Sequence, residues 1–283
     1  MGILYVVATP IGNIGDISKR GIEILEEVDL ILCEDTRNSN NLLNLLNIKN
    51  KLVSYHKFNE NERSREVIEL LKSGQNIAII TDAGTPCISD PGSILVNECI
   101  KNGIEFFSIP GPSAVITALS SSGLTISNFA FYGFLERKSS SQREHLELIN
   151  KNDVEIVVFY ESPKRIIETL HNICEVMNNP YLVVLNDLTK KFERKYYGPA
   201  FDVINELQEN KNFELGEYVI IVSKNKKNDK EDNNVLTPEA ILIDILVKEK
   251  CTLKDATKLA SLNNKLYSKN EYYDASLNLK RIL

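Results

Sequence analysis

Short apolar runs alternating with stretches of helical period constrain this chain more than any other feature. ILYVVA (3–8), LILCE (30–34), KLVSY (51–55), NIAIIT (76–81) and IEFFSI (104–109) each suffice for one buried strand and are too short for a helix. Between them lie candidate helices opening near Ser18, Thr36 and Asn61. Gly74 is placed to end the third of these, and a further helix is expected to open at Asp90-Pro91, capped by Asp90, and to end at Gly103. Strand and helix can alternate in this way only if the strands lie in a parallel sheet covered on both faces.

A second series follows the Ser-Ser-Ser-Gly stretch at 120–123. FAFYGF (129–134), VEIVVFY (154–160), YLVVLN (181–186), RKYYG (194–198) and EYVIIVS (217–223) are strand-like, with one helix expected to be capped by Ser162-Pro163 and another to open at Pro199. KNKKNDKEDNN (224–234) has no apolar residue and reads as a solvated linker. From Thr237, with Pro238 at the first helical position, a short helical module runs on to residue 283. The expected division is an amino-terminal α/β domain over 1–118, a second α/β domain over 119–224, a linker over 225–236 and the helical module over 237–283.

Composition removes several classes of function. An apolar share of 43% with 25% charged residues belongs to a soluble globular protein. No window approaches the roughly 18 continuous apolar residues of a membrane helix, so no membrane partner is expected. The opening MGILYVVATPIG reads as a first core strand rather than a leader. Five cysteines stand singly (Cys33, Cys87, Cys99, Cys174 and Cys251), without ligand spacing, so no metal is expected and free thiols in a reducing, cytoplasmic setting are. A net charge of −6 excludes a uniformly basic nucleic-acid coat.

Ligands of open parallel sheets bind beyond the carboxyl ends of the strands. The loops ATPIGNIGD (8–16), EDTR (34–37), TDAGTPCISDPG (81–92) and PGPSA (110–114) each follow a strand directly, and their glycines permit close backbone approach. Neither G-x-G-x-x-G nor G-x-x-x-x-G-K-[ST] occurs, which disfavours a pyrophosphate ligand.

The set LYVVATPIGNIGDIS, ILCEDTR, YHKFNE, TDAGTPCISDPG, IPGPSAV, FYESPKR and NDLTKKFE resembles the bacterial small-subunit ribosomal RNA 2′-O-methyltransferases, which modify a cytidine ribose in the decoding region and belong to the tetrapyrrole methylase superfamily. The resemblance covers about residues 3–223, and CTLKDATKLAS with Leu266-Tyr267 resembles the family's helical appendage. It implies a two-domain α/β fold of the class III methyltransferase type, with S-adenosylmethionine in the cleft and a homodimeric assembly. It assigns Asp82, Ala83, Gly84, Thr85 and Ile88 to the first cofactor loop and Gly111, Ser113 and Ala114 to the second, with Tyr160 and Leu188 on the opposite side. The chain departs from the family pattern at Lys164, where His is usual, and at Asn186-Asp187, where Arg-Glu is usual.

For transfer to a hydroxyl, candidate bases or positioning groups are Glu161, Asp187 and Lys190 in the second domain and Glu34, Asp35 and His56 in the first, Lys190 being favoured for its place in TKKFERK. RNA contacts are expected from Arg37, His56, Arg137, Lys138, Lys164, Arg165, Lys191, Arg194 and Lys195, helped by Tyr196 and Tyr197. The expected partner is small-subunit ribosomal RNA or the assembled small subunit. The rival readings are a tetrapyrrole C-methyltransferase, which predicts a wide apolar cleft with no basic rim, and a non-catalytic RNA-binding factor.

Overall fold

The computed structural model describes residues 1–224, 237–263 and 267–282. The chain divides into two compact units, Met1–Lys226 and Lys227–Leu283.

In the first lobe of the larger unit, β1 (Leu4–Val7), α1 (Lys19–Glu27), β2 (Leu30–Cys33), α2 (Thr36–Leu45), β3 (Leu52–Ser54), α3 (Glu60–Lys72), β4 (Ile77–Ile79), α4 (Ser93–Asn102) and β5 (Phe106–Ile109) alternate as expected. The strands form a sheet in the order β3-β2-β4-β1-β5, and every pair is parallel. Successive side chains on a strand point to opposite faces, so Leu4, Val6, Leu30, Leu32, Ile77 and Ile79 pack with α3 and α4. Val7, Ile31, Cys33, Ala78 and Ile80 pack with α1 and α2 on the other face. Burial on both faces is why these runs read as unbroken apolar stretches.

A short helix, α5 (Ala114–Ser120), leads into the second lobe. There β6 (Phe129–Phe134), α6 (Ser139–Lys151), β7 (Ile156–Glu161), α7 (Ile166–Val176), β8 (Tyr181–Asn186), β9 (Arg194–Pro199), α8 (Ala200–Glu209) and β10 (Tyr218–Ser223) build a mixed sheet in the order β6-β7-β10-β8-β9. Only β6 and β7 run parallel; the short connection from β8 to β9 can join only antiparallel neighbours. One face carries α6, α7 and α8. The other is covered by Val115, Ala118 and Leu119 of α5. The boundary expected after residue 118 therefore falls inside a helix, and that helix packs on the second sheet.

Two expected caps are not caps. The α4 helix begins at Ser93 on Gly92, whose φ of 126° needs glycine, and Asp90 lies outside it in the preceding loop. The α7 helix begins at Ile166 with Arg165 in the capping position, because residues 162–165 close a turn of their own in which the Arg165 N–H bonds the Ser162 carbonyl at 3.1 Å.

The smaller unit packs α9 (Pro238–Glu249), α10 (Leu253–Asn263) and α11 (Lys269–Ile282) around Ile241, Leu242, Ala256, Ala260, Tyr272, Ala275 and Leu279. Thr237 caps α9 by accepting from the Ala240 N–H at 3.3 Å. The linker expected at 225–236 and Leu266 lie outside the described residues. No helix among the described residues is long and apolar enough to cross a membrane.

Candidate active site

The loops after β1, β4 and β5 are tied into one surface. Thr9 and Gly84 exchange backbone hydrogen bonds of 2.9 and 3.1 Å, and the fully buried Thr9 hydroxyl donates to the Thr81 carbonyl at 3.0 Å. Thr85 Oγ1 donates to the Pro112 carbonyl at 3.0 Å, joining the second loop to the third. Asn38 Nδ2 of α2 donates to Asp82 Oδ2 at 2.9 Å. The loop from 84 to 92 is tightly coiled, with Cys87 at φ 71° and Ser89 at φ 67°. Left-handed non-glycine residues cost on the order of 1 kcal/mol or more each, and they persist where packing over-determines them.

This surface faces the second lobe across a cavity of about 400 Å³. The first lobe contributes Ile11, Thr81, Asp82, Ala83, Gly84, Thr85, Ile88, Ser89, Asp90, Ser113 and Ala114. The second contributes Phe134, Tyr160, Glu161, Ser162, Pro163, Leu188 and Glu217 through Val219. Of the residues expected at a cofactor, only Gly111 is absent from the lining; a Cβ there would stand 2.8 Å from Ala8 Cβ, so its task is to let the third loop lie against the end of β1. Gly12 lets the lobes meet: a Cβ on it would stand 2.6 Å from Lys190 Cγ and 2.8 Å from the Leu188 carbonyl.

Tyr160 is gripped edge-on by Phe131 and Phe134, with ring centroids 4.7 and 5.6 Å away. Burial, with the charge of Asp90 added, pushes its phenol up to about 12, so it remains a hydrogen-bond donor at neutral pH. Phe134 lies 59% exposed at the mouth of the cavity. The strand beneath it is bulged at Gly133 (φ 65°), which Ser89 Oγ of the facing loop approaches closely.

The expected catalytic residues are each engaged by neighbouring side chains. Glu161 has no exposed side-chain surface and is fully engaged: it accepts from the Ser162 N–H at 2.7 Å and from Thr169 Oγ1 at 2.7 Å, and pairs with Arg165 at 3.0 Å. These contacts anchor the carboxylate where α7 meets the end of β7. Asp187 and Lys190 form an ion pair at 2.8 Å, and Lys190 also pairs with Glu217 at 2.8 Å. Burial acts to lower the Lys190 pKa, but the bonds to Asp187 and Glu217 outweigh it and hold the ammonium above its ordinary value. Lys190 is therefore a cation fixed between Asp187 and Glu217. Asp187 sits at φ 54°, and Gly216 (φ 85°) leaves the room its carboxylate occupies.

The residues expected to meet RNA divide likewise. Arg137, Lys138, Lys164, Lys191 and Arg194 are exposed on the second lobe. Lys191 lies over the exposed Phe192 ring at 5.5 Å, and Lys195 is exposed but paired with Glu193 at 3.0 Å. Arg37 is exposed and bonded to Asp35 at 2.9 Å. Its guanidinium first, and backbone N–H groups next, hold the Asp35 carboxyl down at about 2. His56 Nδ1 accepts from the Phe58 N–H at 3.2 Å. Arg165 points inward, donating to the Leu135 and Glu136 carbonyls at 2.9 Å each. Tyr196 is a core residue, 4% exposed, so of the expected tyrosine pair only Tyr197 reaches the surface. The five cysteines are free thiols.

Sequence reasoning took Asp90 for a helix cap and missed Ser89, Phe134, Glu217 and Tyr218. Asp90 was hidden by the Asp-Pro pattern of a helix start; burial and then the charge of Glu34 push its carboxyl up to about 6, the behaviour of a group facing a cleft rather than capping a helix.

A fold of two such lobes with a loop-lined cavity between them defines a class, and comparison places the chain in it. The chain belongs to the Tetrapyrrole (Corrin/Porphyrin) Methylases, whose family model matches residues 3–204. It is a methyltransferase by descent. Among curated relatives it is 41% identical over 278 residues to the Ribosomal RNA small subunit methyltransferase I of Haemophilus influenzae, covering 98% of this chain and 96% of that one. The protein of the same description from Bacillus subtilis is 38% identical over 279 residues, covering 97% and 94%. That of Thermotoga maritima is 42% identical over 223 residues, covering 79% of this chain and 99% of its own. Among solved structures, a uroporphyrin-III-C-methyltransferase from Thermus thermophilus aligns with a TM-score of 0.56 at 19% identity, covering 79% of this chain and 95% of that one. A diphthine synthase aligns with a TM-score of 0.61 at 16% identity, covering 78% and 90%. Both likenesses concern the fold alone.

Proposed function

We propose that this protein transfers a methyl group from S-adenosylmethionine to the ribose 2′-hydroxyl of a cytidine in small-subunit ribosomal RNA. The observation that carries the reading is the convergence of Asp82, Ala83, Gly84, Thr85, Ile88, Ser113, Ala114, Tyr160 and Leu188 on one cavity of about 400 Å³, within the range of small-ligand sites. The donor set suits the cofactor: a carboxylate at Asp82, backbone groups along 83–85 and 113–114, and apolar cover from Ile11 and Leu188. When bound, the sulfonium supplies an activated methyl. The protein then has to align the acceptor and exclude water.

The substrate class is supported by the curated relatives and by the surface. Exposed Arg137, Lys138, Lys164, Lys191 and Arg194, with exposed Phe192 and Tyr197, supply the second lobe with the cations and rings that RNA phosphates and bases engage. A homodimer in the cytoplasm acting on RNA or on the assembled subunit completes the reading.

The experiment is transfer of labelled methyl to small ribosomal subunits lacking the modification, with naked RNA and a tetrapyrrole precursor in parallel, followed by mapping of the product. A ribose-methylated cytidine is the expected outcome. Label in the tetrapyrrole alone would overturn the substrate and leave the fold and cofactor; sedimentation of the same preparation reads the dimer.

A further inference from the structure

We propose that Asp90 is the base that accepts the proton of the attacking ribose hydroxyl, facing Tyr160 across the cavity. The inference rests on the ribose-methylation reading and adds the residue that the reading lacks.

Four carboxylates line the cavity: Asp82, Asp90, Glu161 and Glu217. Two are ion-paired: Glu161, which also accepts from Ser162 and Thr169, with Arg165, and Glu217 with Lys190. Of the other two, Asp82 is exposed and accepts from Asn38, whereas Asp90 is half-buried. Asp90 makes no ion pair among the described residues, and the Thr81 side chain is the one polar group set to bond it. Its loop is shaped to present it. The left-handed Cys87 and Ser89 coil the chain, and α4 starts only after Gly92, so the carboxylate is released from the helix end that the sequence pattern offered it.

Its surroundings are those of a base held ready. Glu34 at the end of β2, Asp82 and Cys87 on its own loop and Tyr160 from the second lobe are the titratable groups coupled to it by charge, with the cation of Lys57 opposing them. Burial together with this acidic company leaves the carboxylate more basic than usual, where a base working at neutral pH is most effective. In the step itself the hydroxyl oxygen bonds to the methyl carbon as the sulfur–methyl bond breaks. The electron pair of that bond stays on sulfur, which becomes a neutral thioether, and the hydroxyl proton passes to an Asp90 carboxylate oxygen and then to water. Glu34, Asp82 and Asp90 leave no room for a further negative charge nearby, so a free alkoxide is disfavoured and proton removal accompanies attack.

The test uses the full-length protein, its D90N and D90E variants, unmodified small subunits as acceptor and S-adenosylhomocysteine as the binding probe. The expected result is a wild-type turnover that rises with pH through about 6. D90N should lower turnover by roughly 10²- to 10⁴-fold and lose that inflection, while its thioether dissociation constant stays within about threefold. D90E, which keeps a carboxylate, should recover part of the rate. In protein carrying carbon-13 aspartate, the one carboxyl signal lost in D90N should titrate well above the others without any cofactor present. D90N turnover within threefold of wild type with an unchanged pH profile would overturn the proposal, as would loss of thioether binding in step with turnover, or an Asp90 signal titrating near 4. Wild-type transfer at pH 8 reports on the ribosomal reading, and the ratio of variant to wild type reports on Asp90, so each can fail without the other.

Discussion

Asp90 and Gly12 show how single residues hold the site open and closed at once. Burial and Glu34 raise the Asp90 carboxyl to about 6, whereas in the unfolded chain it ionises at its ordinary lower value. The folded state therefore binds the extra proton between those two values; stability falls as pH climbs through that window, and the cost is complete above it. Asp90→Asn removes the cost. Discounted for partial exposure, the gain should be about 1 kcal/mol at pH 7.5 and nil near pH 4, read as the difference in urea unfolding between the two pH values. A variant that gains stability and loses turnover is the expected trade at a working site. Gly12→Ala presses a methyl onto the Leu188 carbonyl and Lys190, and backbone cannot give way cheaply. It should cost about 1–3 kcal/mol and weaken S-adenosylhomocysteine binding, because Leu188 lines the cavity that the intruding methyl displaces; calorimetry decides.

At the scale of elements, the second lobe is pinned by a buried polar seam between α6 and α7. Glu161 accepts from Thr169, Gln142 Nε2 donates to Thr169 Oγ1 at 3.1 Å, Asn172 Nδ2 donates to Gln142 Oε1, and Arg143 Nε donates to Asn172 Oδ1 at 2.7 Å. Arg165 joins this seam to the end of β6 through the Leu135 and Glu136 carbonyls, which fixes Phe134 at the cavity mouth. Arg165→Met leaves a carboxylate with no exposed surface and no cation. Destabilisation of about 3–5 kcal/mol is expected. The double variant Glu161→Gln with Arg165→Met should recover part of it, since the buried charge is gone, and only part, since the amide oxygen replaces one of the two acceptors that Ser162 and Thr169 use. A double variant no more stable than Arg165→Met would show that the carbonyl contacts, and not the ion pair, fix the strand.

For the whole molecule, a ligand clasped by both lobes of the larger unit stabilises it by mass action. S-adenosylhomocysteine at a hundred times its dissociation constant should add about 2.7 kcal/mol, seen as a rise in Tm of several degrees. The same rise is expected from residues 1–226 alone, because they form a compact unit and a relative of full family description is spanned by 79% of this chain; absence of that rise in the shortened chain would give the helical module a part in binding.

Strand positions, the parallel first sheet and the loops that line the cavity were legible in the sequence, since burial on both faces writes a continuous apolar run and a turn at a strand end needs Gly, Pro and Asp locally. The roles of Asp90, Glu161, Arg165 and Tyr196 were not. Asp90-Pro91 satisfies the local pattern of a cap, and only the left-handed coil before Gly92 turns it into the cleft. Glu161 and Arg165 look like a mobile acid and a surface cation until α7 brings Thr169 over one and β6 brings two carbonyls over the other. The sequence by itself determined the elements, because helix and strand periods are local; which carboxylates of the cavity are ion-paired and which are left half-buried without a cation was decided only by the tertiary structure, because pairing and burial depend on distances between residues far apart in the chain.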